Sequence, residues 1–359
     1  MALKVFDIWD QGLLTTLIKR PPDGRAPGAA EDVTPALGEQ IAPLTPVTTR
    51  NVKVHVNELL PFGAGQLRAP DATPPLYKPA VGLREIELEL ALLDEMERIS
   101  EEDWFKLNSS DENYRLSAGA SLIDRGRILR LRNQRRSEIL RWQAFSGRVT
   151  LQYKDGGLVF DSGLSTTHQL TAGVLWSDTT NADPVSDVQA WSELIAADTG
   201  FYGNKVHMNS KTYNYLVNNA KIKAGVNFYS PSAPVINRPR REDILNLFTS
   251  FASNVEIVIY DNGYRAEGET GIGVGSITKY LPDGYVLMTT DYTLDGVPIA
   301  DMPDGLVSVT TGYNSLAIRQ GEQAEVMLDD LAKTHFLRYA SARIPRLLIP
   351  DAFAYIRVA

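Results

Sequence analysis

The rhythm of apolar and polar positions changes several times along this chain, and each change marks an element. In residues 1–20, Phe6, Ile8, Leu13, Leu14, Leu17 and Ile18 are interrupted by Asp7 and Asp10, which describes a short amphipathic segment that docks on something else. Residues 20–50 then carry Pro21, Pro22, Pro27, Pro35, Pro43 and Pro46, a density that disfavours helix and ladder alike and predicts a linking arm. From residue 51 the pattern alternates, with Val52, Val54 and Val56 on one face and Lys53, His55 and Asn57 on the other. Residues 83–90 alternate again through Leu83, Ile86, Leu88 and Leu90. Two strands flanking a Gly/Pro-rich stretch predict an extended two-stranded loop, and such an element needs a surface to lie on.

The stretch 117–146 has no proline and stops at Gly147, so it is the best long-helix candidate. Leu122, Ile128, Leu129, Leu131, Ile139, Leu140 and Trp142 fall in one half of its wheel, and Arg125, Arg132, Arg135 and Arg136 fall in the same half. After it, Val149, Leu151 and Tyr153 lead through Asp155-Gly156-Gly157 to Leu158, Val159 and Phe160, which reads as a hairpin. Helices are predicted over 185–199, 210–219 and 242–252, and buried strands over 206–208, 255–260 and 286–289. The last residues, Leu347 to Val358, alternate once more. There is no internal repeat, and the class is mixed α+β.

Composition narrows the chemistry. Among 359 residues there is no cysteine, which removes disulfides, thiolate catalysis and cysteinyl metal sites, and fits a reducing compartment. Four histidines, His55, His168, His207 and His335, are scattered too widely for a local metal site. With 36 Lys and Arg against 44 Asp and Glu the formal charge is −8, unlike the basic footprint of a dedicated nucleic-acid binder. No apolar run near the N-terminus approaches the roughly 18 residues of a membrane span, and no signal-peptide pattern is present.

The candidate sites are weak. Gly271-Ile272-Gly273-Val274-Gly275 lacks the Lys-Ser/Thr of a phosphate loop and reads as a hairpin tip. Ser165 and His168 can be drawn as a nucleophile and base, or as a polar loop. Asp178, Asp183 and Asp187 offer carboxylates for a hard cation without the pattern of a calcium loop, and Asp183 before Pro184 equally suits a helix start. The seven arginines between 125 and 141 face six acids between 94 and 103. They admit three readings: ion pairs across packed elements or subunits, phosphate contact, or a solvated face.

Taken in order, these features resemble the lambda-type tailed-phage major capsid proteins with the Hong Kong 97-type shell fold. The resemblance rests on the two alternating strands around a loop with Tyr77-Lys78-Pro79, the arginine-bearing helix and the hairpin to Asp161-Ser162-Gly163. It continues through Trp176-Ser177-Asp178, Ala182-Asp183-Pro184, Ile257-Val258-Ile259-Tyr260-Asp261, Tyr280-Leu281-Pro282-Asp283-Gly284-Tyr285 and Pro350-Asp351 with Phe353. It implies an N-terminal arm at 1–50 and an extended loop at 51–92. It also implies a peripheral domain at 93–182 and 319–359 with its spine helix at 117–146, and an axial domain at 183–318.

It implies a non-enzymatic protein, without cofactor or metal, whose copies form pentamers and hexamers of an icosahedral shell around double-stranded DNA held non-specifically. Separate scaffolding, portal and decoration proteins would be partners, no membrane would be involved, and assembly would take place in the host bacterial cytoplasm. Tyr77, Lys78, Glu97, Glu101, Arg132, Arg135 and Arg136 would make contacts between subunits. Lys78, Asn57 and Asn262 are too common in type to assign a crosslink. The rival readings are an encapsulin-like compartment, a hydrolase using acids with His168 or His207, and a nucleic-acid module centred on Arg125 to Arg141.

Overall fold

The computed structural model describes residues 11–19, 36–57, 83–153, 156–229, 238–251, 255–267, 273–294, 296–311, 315–329 and 334–359. Packing divides the chain into two compact units, and the chain passes between them repeatedly. The first unit takes residues 1–53, 87–141 and 302–345, and the second takes 54–86, 142–301 and 346–359.

The first unit is a sheet with a long helix laid on it. Strand Thr334–Arg343 is central, antiparallel to Ala91–Arg98 on one side and to Gln323–Asp329 on the other. The long helix, Glu112–Phe145, gives all but its last turn to this unit. Its buried stripe is narrower than the apolar half-wheel predicts. Ala118, Leu122, Leu129 and Leu140 are buried, whereas Ile128 and Leu131 remain 56% and 51% exposed. The stripe continues instead through small and polar residues that have their own partners. Asn133 Nδ2 donates to Leu93 O at 3.1 Å, and Ser137 Oγ donates to Asn133 O at 3.0 Å. A sequence wheel that counts only aliphatic residues therefore rotates the face.

The arm is more ordered than its prolines predict. Helix Gln11–Lys19 buries Leu14 and Ile18, as its amphipathic pattern requires. A short helix, Leu37–Ile41, fits between Pro35 and Pro43. The Gly38 amide donates to Glu138 Oε1 at 2.8 Å, which tethers that helix to the long one. Strand Leu44–Pro46 then pairs in parallel with residues 302–304, with its proline as the last residue of the strand. Strands Asn51–Asn57 and Leu83–Glu89 pair with each other, as the alternation predicts. Residues 58–82, including Tyr77 and Lys78, lie outside the described residues.

In the second unit, a five-stranded sheet runs in the order Gln169–Thr171, Phe353–Arg357, Tyr285–Thr289, Lys205–Met208, Glu256–Ile259. Strand Phe353–Arg357 is thus an interior strand of this sheet, between Gln169–Thr171 and Tyr285–Thr289. Helices Pro184–Thr199, Ser210–Asn218, Ala220–Tyr229 and Arg241–Phe251 contribute to the same core. The first of these has clear limits. Asp183 caps it by accepting the Ser186 amide, Pro184 opens it, and Gly200 closes it in the left-handed conformation at φ 79°. Trp176 is fully buried against Trp191, with ring centroids 5.7 Å apart, and its Nε1 donates to Asp187 Oδ2 at 2.9 Å. The predicted hairpin forms between Arg148–Tyr153 and Gly156–Asp161. Among the described residues, no helix is long and apolar enough to cross a membrane.

Candidate functional site

Of the seven arginines between 125 and 141, Arg127 bonds Asp124 on its own helix at 2.7 Å and the other six separate into three groups. Arg125 and Arg132 reach the neighbouring strand and short helix of their own chain. Arg125 Nε donates to Glu97 Oε1 at 2.7 Å, Nη1 to Asp103 Oδ2 at 2.9 Å and Nη2 to Arg98 O at 2.8 Å. Arg132 Nε donates to Glu95 Oε2 at 2.5 Å. Glu95 and Glu97 point this way because strand Ala91–Arg98 alternates, sending Leu92, Asp94 and Met96 to the opposite face. Glu97 and Arg132, expected at a subunit contact, therefore bond within the chain.

The second group, Arg130 and Arg141, bonds acids inside the unit, with Arg141 buried and Arg130 partly exposed. Arg130 Nε donates to Glu322 Oε2 at 3.3 Å, and Arg343 Nη2 reaches Glu322 Oε1 at 2.9 Å while its Nε holds Asp304 Oδ1 at 3.0 Å. Lys19, from the first helix, donates to Glu322 O at 3.1 Å. Burial by itself would raise the Glu322 pKa, but Arg343 and Arg130, with Lys19, outweigh it and hold the carboxyl at about 2. Arg141 lies deeper still, paired with Glu138 at 3.4 Å. These side chains hold the fold and offer nothing to a partner.

The third group is Arg135 and Arg136, which are exposed, as is Glu101 on helix Glu101–Leu107. Beside Arg135 on the outward face of the helix lie Ile128 and Leu131. Elsewhere in this unit Met96 is 61% and Phe105 73% exposed. Large apolar side chains left in solvent among charges are the surface composition of a contact with another chain. The sequence wheel put Leu122, Leu129 and Leu140, which are buried, in the same half as Ile128 and Leu131. Their spacing relative to Gly126, Asn133 and Ser137 is the signal that distinguishes the two faces.

The other candidates dissolve into structural roles. His168 Nδ1 bonds Phe353 O at 2.7 Å and Nε2 bonds Asp198 Oδ2 at 2.8 Å, so both ring nitrogens are occupied. Ser165 Oγ instead pairs with Thr167 Oγ1 at 2.7 Å. His207 is fully buried between Leu287 O at 3.0 Å and Tyr292 Oη at 3.1 Å, and burial lowers its pKa to about 4. The three loop acids diverge: Asp178 bonds Asn181, Asp183 caps its helix and meets Lys221 at 3.0 Å, and Asp187 receives Trp176. Among the described residues, no group of three or more His, Asp or Glu is arranged to hold a metal. Gly273–Lys279 is a strand paired with Gly263–Glu267, in a setting unlike that of a phosphate loop.

Comparison with known proteins agrees with the architecture. Among solved structures, the chain is similar to a phage-related protein from Bordetella bronchiseptica RB50, at TM-score 0.55 and 14% identity over 97% of this chain and 96% of that one. It is equally similar to a protein assigned as the capsid protein of a prophage in Escherichia coli CFT073, at TM-score 0.54 and 14% identity over 100% of both chains. At this identity the likeness is one of fold, the α+β fold of Hong Kong 97-type shell proteins. No curated protein matches the sequence significantly. A sequence model of the family described as phage major capsid protein E matches residues 82–316, well over half of the chain. The chain therefore belongs to the phage major capsid protein E family and is a shell-forming capsid protein.

Proposed function

We propose that copies of this chain assemble as pentamers and hexamers into the icosahedral head of a tailed phage, around double-stranded DNA held without sequence preference. The observation that carries this reading is the exposed face of the long helix, where Ile128 and Leu131 stand beside Arg135 while Ala118, Leu122, Leu129 and Leu140 are buried on the other side. Residues 93–182 and 319–359, with the spine helix, serve as the peripheral domain and 183–318 as the axial domain; the packing units depart from these bounds by placing 142–182 and 346–359 in the second unit and 302–318 in the first. The loop at 51–92, with Tyr77 and Lys78, lies across a neighbouring copy, and so does the arm at 1–50 outside residues 36–46, which bond within their own chain. Glu101, Arg135 and Arg136 make charge contacts between them. Repetition makes such modest contacts collectively strong, and closed symmetry uses the same patch on every copy.

A net charge of −8 suits a wall that confines DNA without gripping it. The role is structural, with no catalytic step and no cofactor. Scaffolding, portal and decoration proteins are separate partners, and assembly takes place in the bacterial cytoplasm. Deleting residues 62–78 tests the reading. A soluble, folded subunit that no longer forms particles by negative-stain electron microscopy is the expected result. Normal particles from the deleted chain would overturn the role of the loop.

A further inference from the structure

The outward side of the long helix carries a regular seam. Ser117, Ser121, Asp124, Ile128, Leu131 and Arg135 are all exposed. They follow one another at intervals of four, three, four, three and four residues. That alternation keeps them on a single stripe, the spacing by which one helix lies along another. Leu122, Leu129 and Leu140 are buried on the opposite side.

The order of side chains along the seam selects its occupant. Ile128 and Leu131 stand at the centre, with an acid one step before them and a base one step after. Asp124 and Arg135 are eleven residues apart, about 16 Å along the helix, too far to meet within the chain. Asp124 accepts Arg127 at 2.7 Å through one oxygen and remains exposed. Among the described residues, Arg135 has no acidic partner. A second copy laid antiparallel, with a two-fold axis between Ile128 and Leu131, supplies what both lack. Ile128 then faces Leu131 of the other copy, twice, and Asp124 faces Arg135, twice. A parallel copy would set Asp124 against Asp124 and Arg135 against Arg135. Beyond Arg135 the seam ends where Glu138 accepts the Gly38 amide at 2.8 Å. The antiparallel copy brings Ser121 to that level, and its short side chain leaves room for helix Leu37–Ile41.

We propose that the long helices of two copies pack antiparallel across a two-fold axis, through Asp124, Ile128, Leu131 and Arg135, and that this contact joins one ring of the shell to the next. A patch that is its own complement pairs copies two by two, so it cannot close a ring of five. The seam therefore lies between rings. Two apolar side chains and one ion pair from each copy bury far less than a lasting dimer needs. Free subunits stay apart, and the contact acts through its repetition over the shell. The inference rests on the shell reading, which electron microscopy of the native chain checks first.

Charge reversal tests the seam. Asp124→Arg and Arg135→Asp, made separately, each set like charges together at both ends of the pair. Both variants should melt as the native subunit does, yet give less than about a tenth of the native particle yield. Asp124→Arg/Arg135→Asp restores the complement and should recover about half of that yield or more. A second measurement leaves the charges intact, because the native sequence has no cysteine. Particles co-assembled from equal amounts of an Ile128→Cys chain and a Leu131→Cys chain are oxidised and run on denaturing gels without reductant. Covalent dimers are expected there, and few from particles of either variant alone, whose cysteines lie one layer apart. No particles from the native chain would overturn the shell reading and the seam with it. Normal particles without these dimers would mean that another chain covers the stripe, and would overturn the seam alone. So would single reversals that assemble like the native chain, or a double variant no better than the singles.

Discussion

Glu322 is held ionised inside the first unit by Arg343, Arg130 and Lys19, and that arrangement makes the unit acid-sensitive in a defined window. The folded pKa of about 2 lies below the ordinary 4.5, so the stabilisation is complete above pH 4.5 and is lost as pH falls towards 2. The amount is about 3 kcal/mol. Glu322→Ala leaves two guanidinium groups without their buried counter-ion and should cost about 3–5 kcal/mol, read by urea unfolding of the free subunit. In the second unit His207 behaves differently, because it is buried neutral. Its folded pKa of about 4 lies below the ordinary 6.5, so the unfolded chain takes up the proton first. Stability there is complete above pH 6.5 and falls by about 3 kcal/mol as pH drops towards 4. Acid titration followed by hydrogen exchange should therefore loosen the strands around His207 before those around Glu322. The reverse order would contradict both assignments.

At the scale of elements, Gly126 decides whether the first helix can dock. Gly126→Leu forces Ile18 out of its seat, with an overpacking cost of about 1–3 kcal/mol. Amide protection over 11–19 should collapse while protection over 184–199 stays at its native level. Elements bounded by local signals were readable from the sequence. Asp183-Pro184 and Gly200 frame one helix, strands Arg148–Tyr153 and Gly156–Asp161 pair as the alternation predicts, and the long helix has no internal proline. Strand Thr334–Arg343 was not readable, although it organises the first sheet. From residue 339 onward it is buried on both faces, so it shows no alternation. The outward face of the long helix was misread for a related reason: its buried stripe is completed by Gly126, Asn133 and Ser137, whose fit depends on Ile18 and Leu93, far away in sequence. Of the three readings the arginines admitted, pairing with the acids at 94–103 holds for Arg125 and Arg132, while Arg127, Arg130 and Arg141 meet other acids. Which pairs stay inside the chain is a matter of strand register, and among the described residues expected at a contact, Arg135, Arg136 and Glu101 are the exposed ones.

For the whole molecule, that division separates folding from assembly. Arg125→Gln removes bonds to Glu97, Asp103 and the Arg98 carbonyl, and should lower the stability of the free subunit by about 1–3 kcal/mol. Arg135→Gln with Arg136→Gln should leave subunit melting within about 0.5 kcal/mol of the native chain and reduce the yield of particles. Calorimetry and electron microscopy of the same preparations read the two effects independently. The division of the chain into two units has a further consequence, for synthesis. The first unit needs residues 302–345 to complete the sheet begun at 91–98, and the second needs 346–359 to fill the middle of its own. Neither core is contained in one continuous stretch of sequence. While the chain emerges from the ribosome, the first core cannot close before residues 334–343 have been made, nor the second before residues 353–357. A chain stopped after Asp301 should therefore remain open to protease across 91–141, and the cell is spared partial subunits that look finished enough to enter a shell.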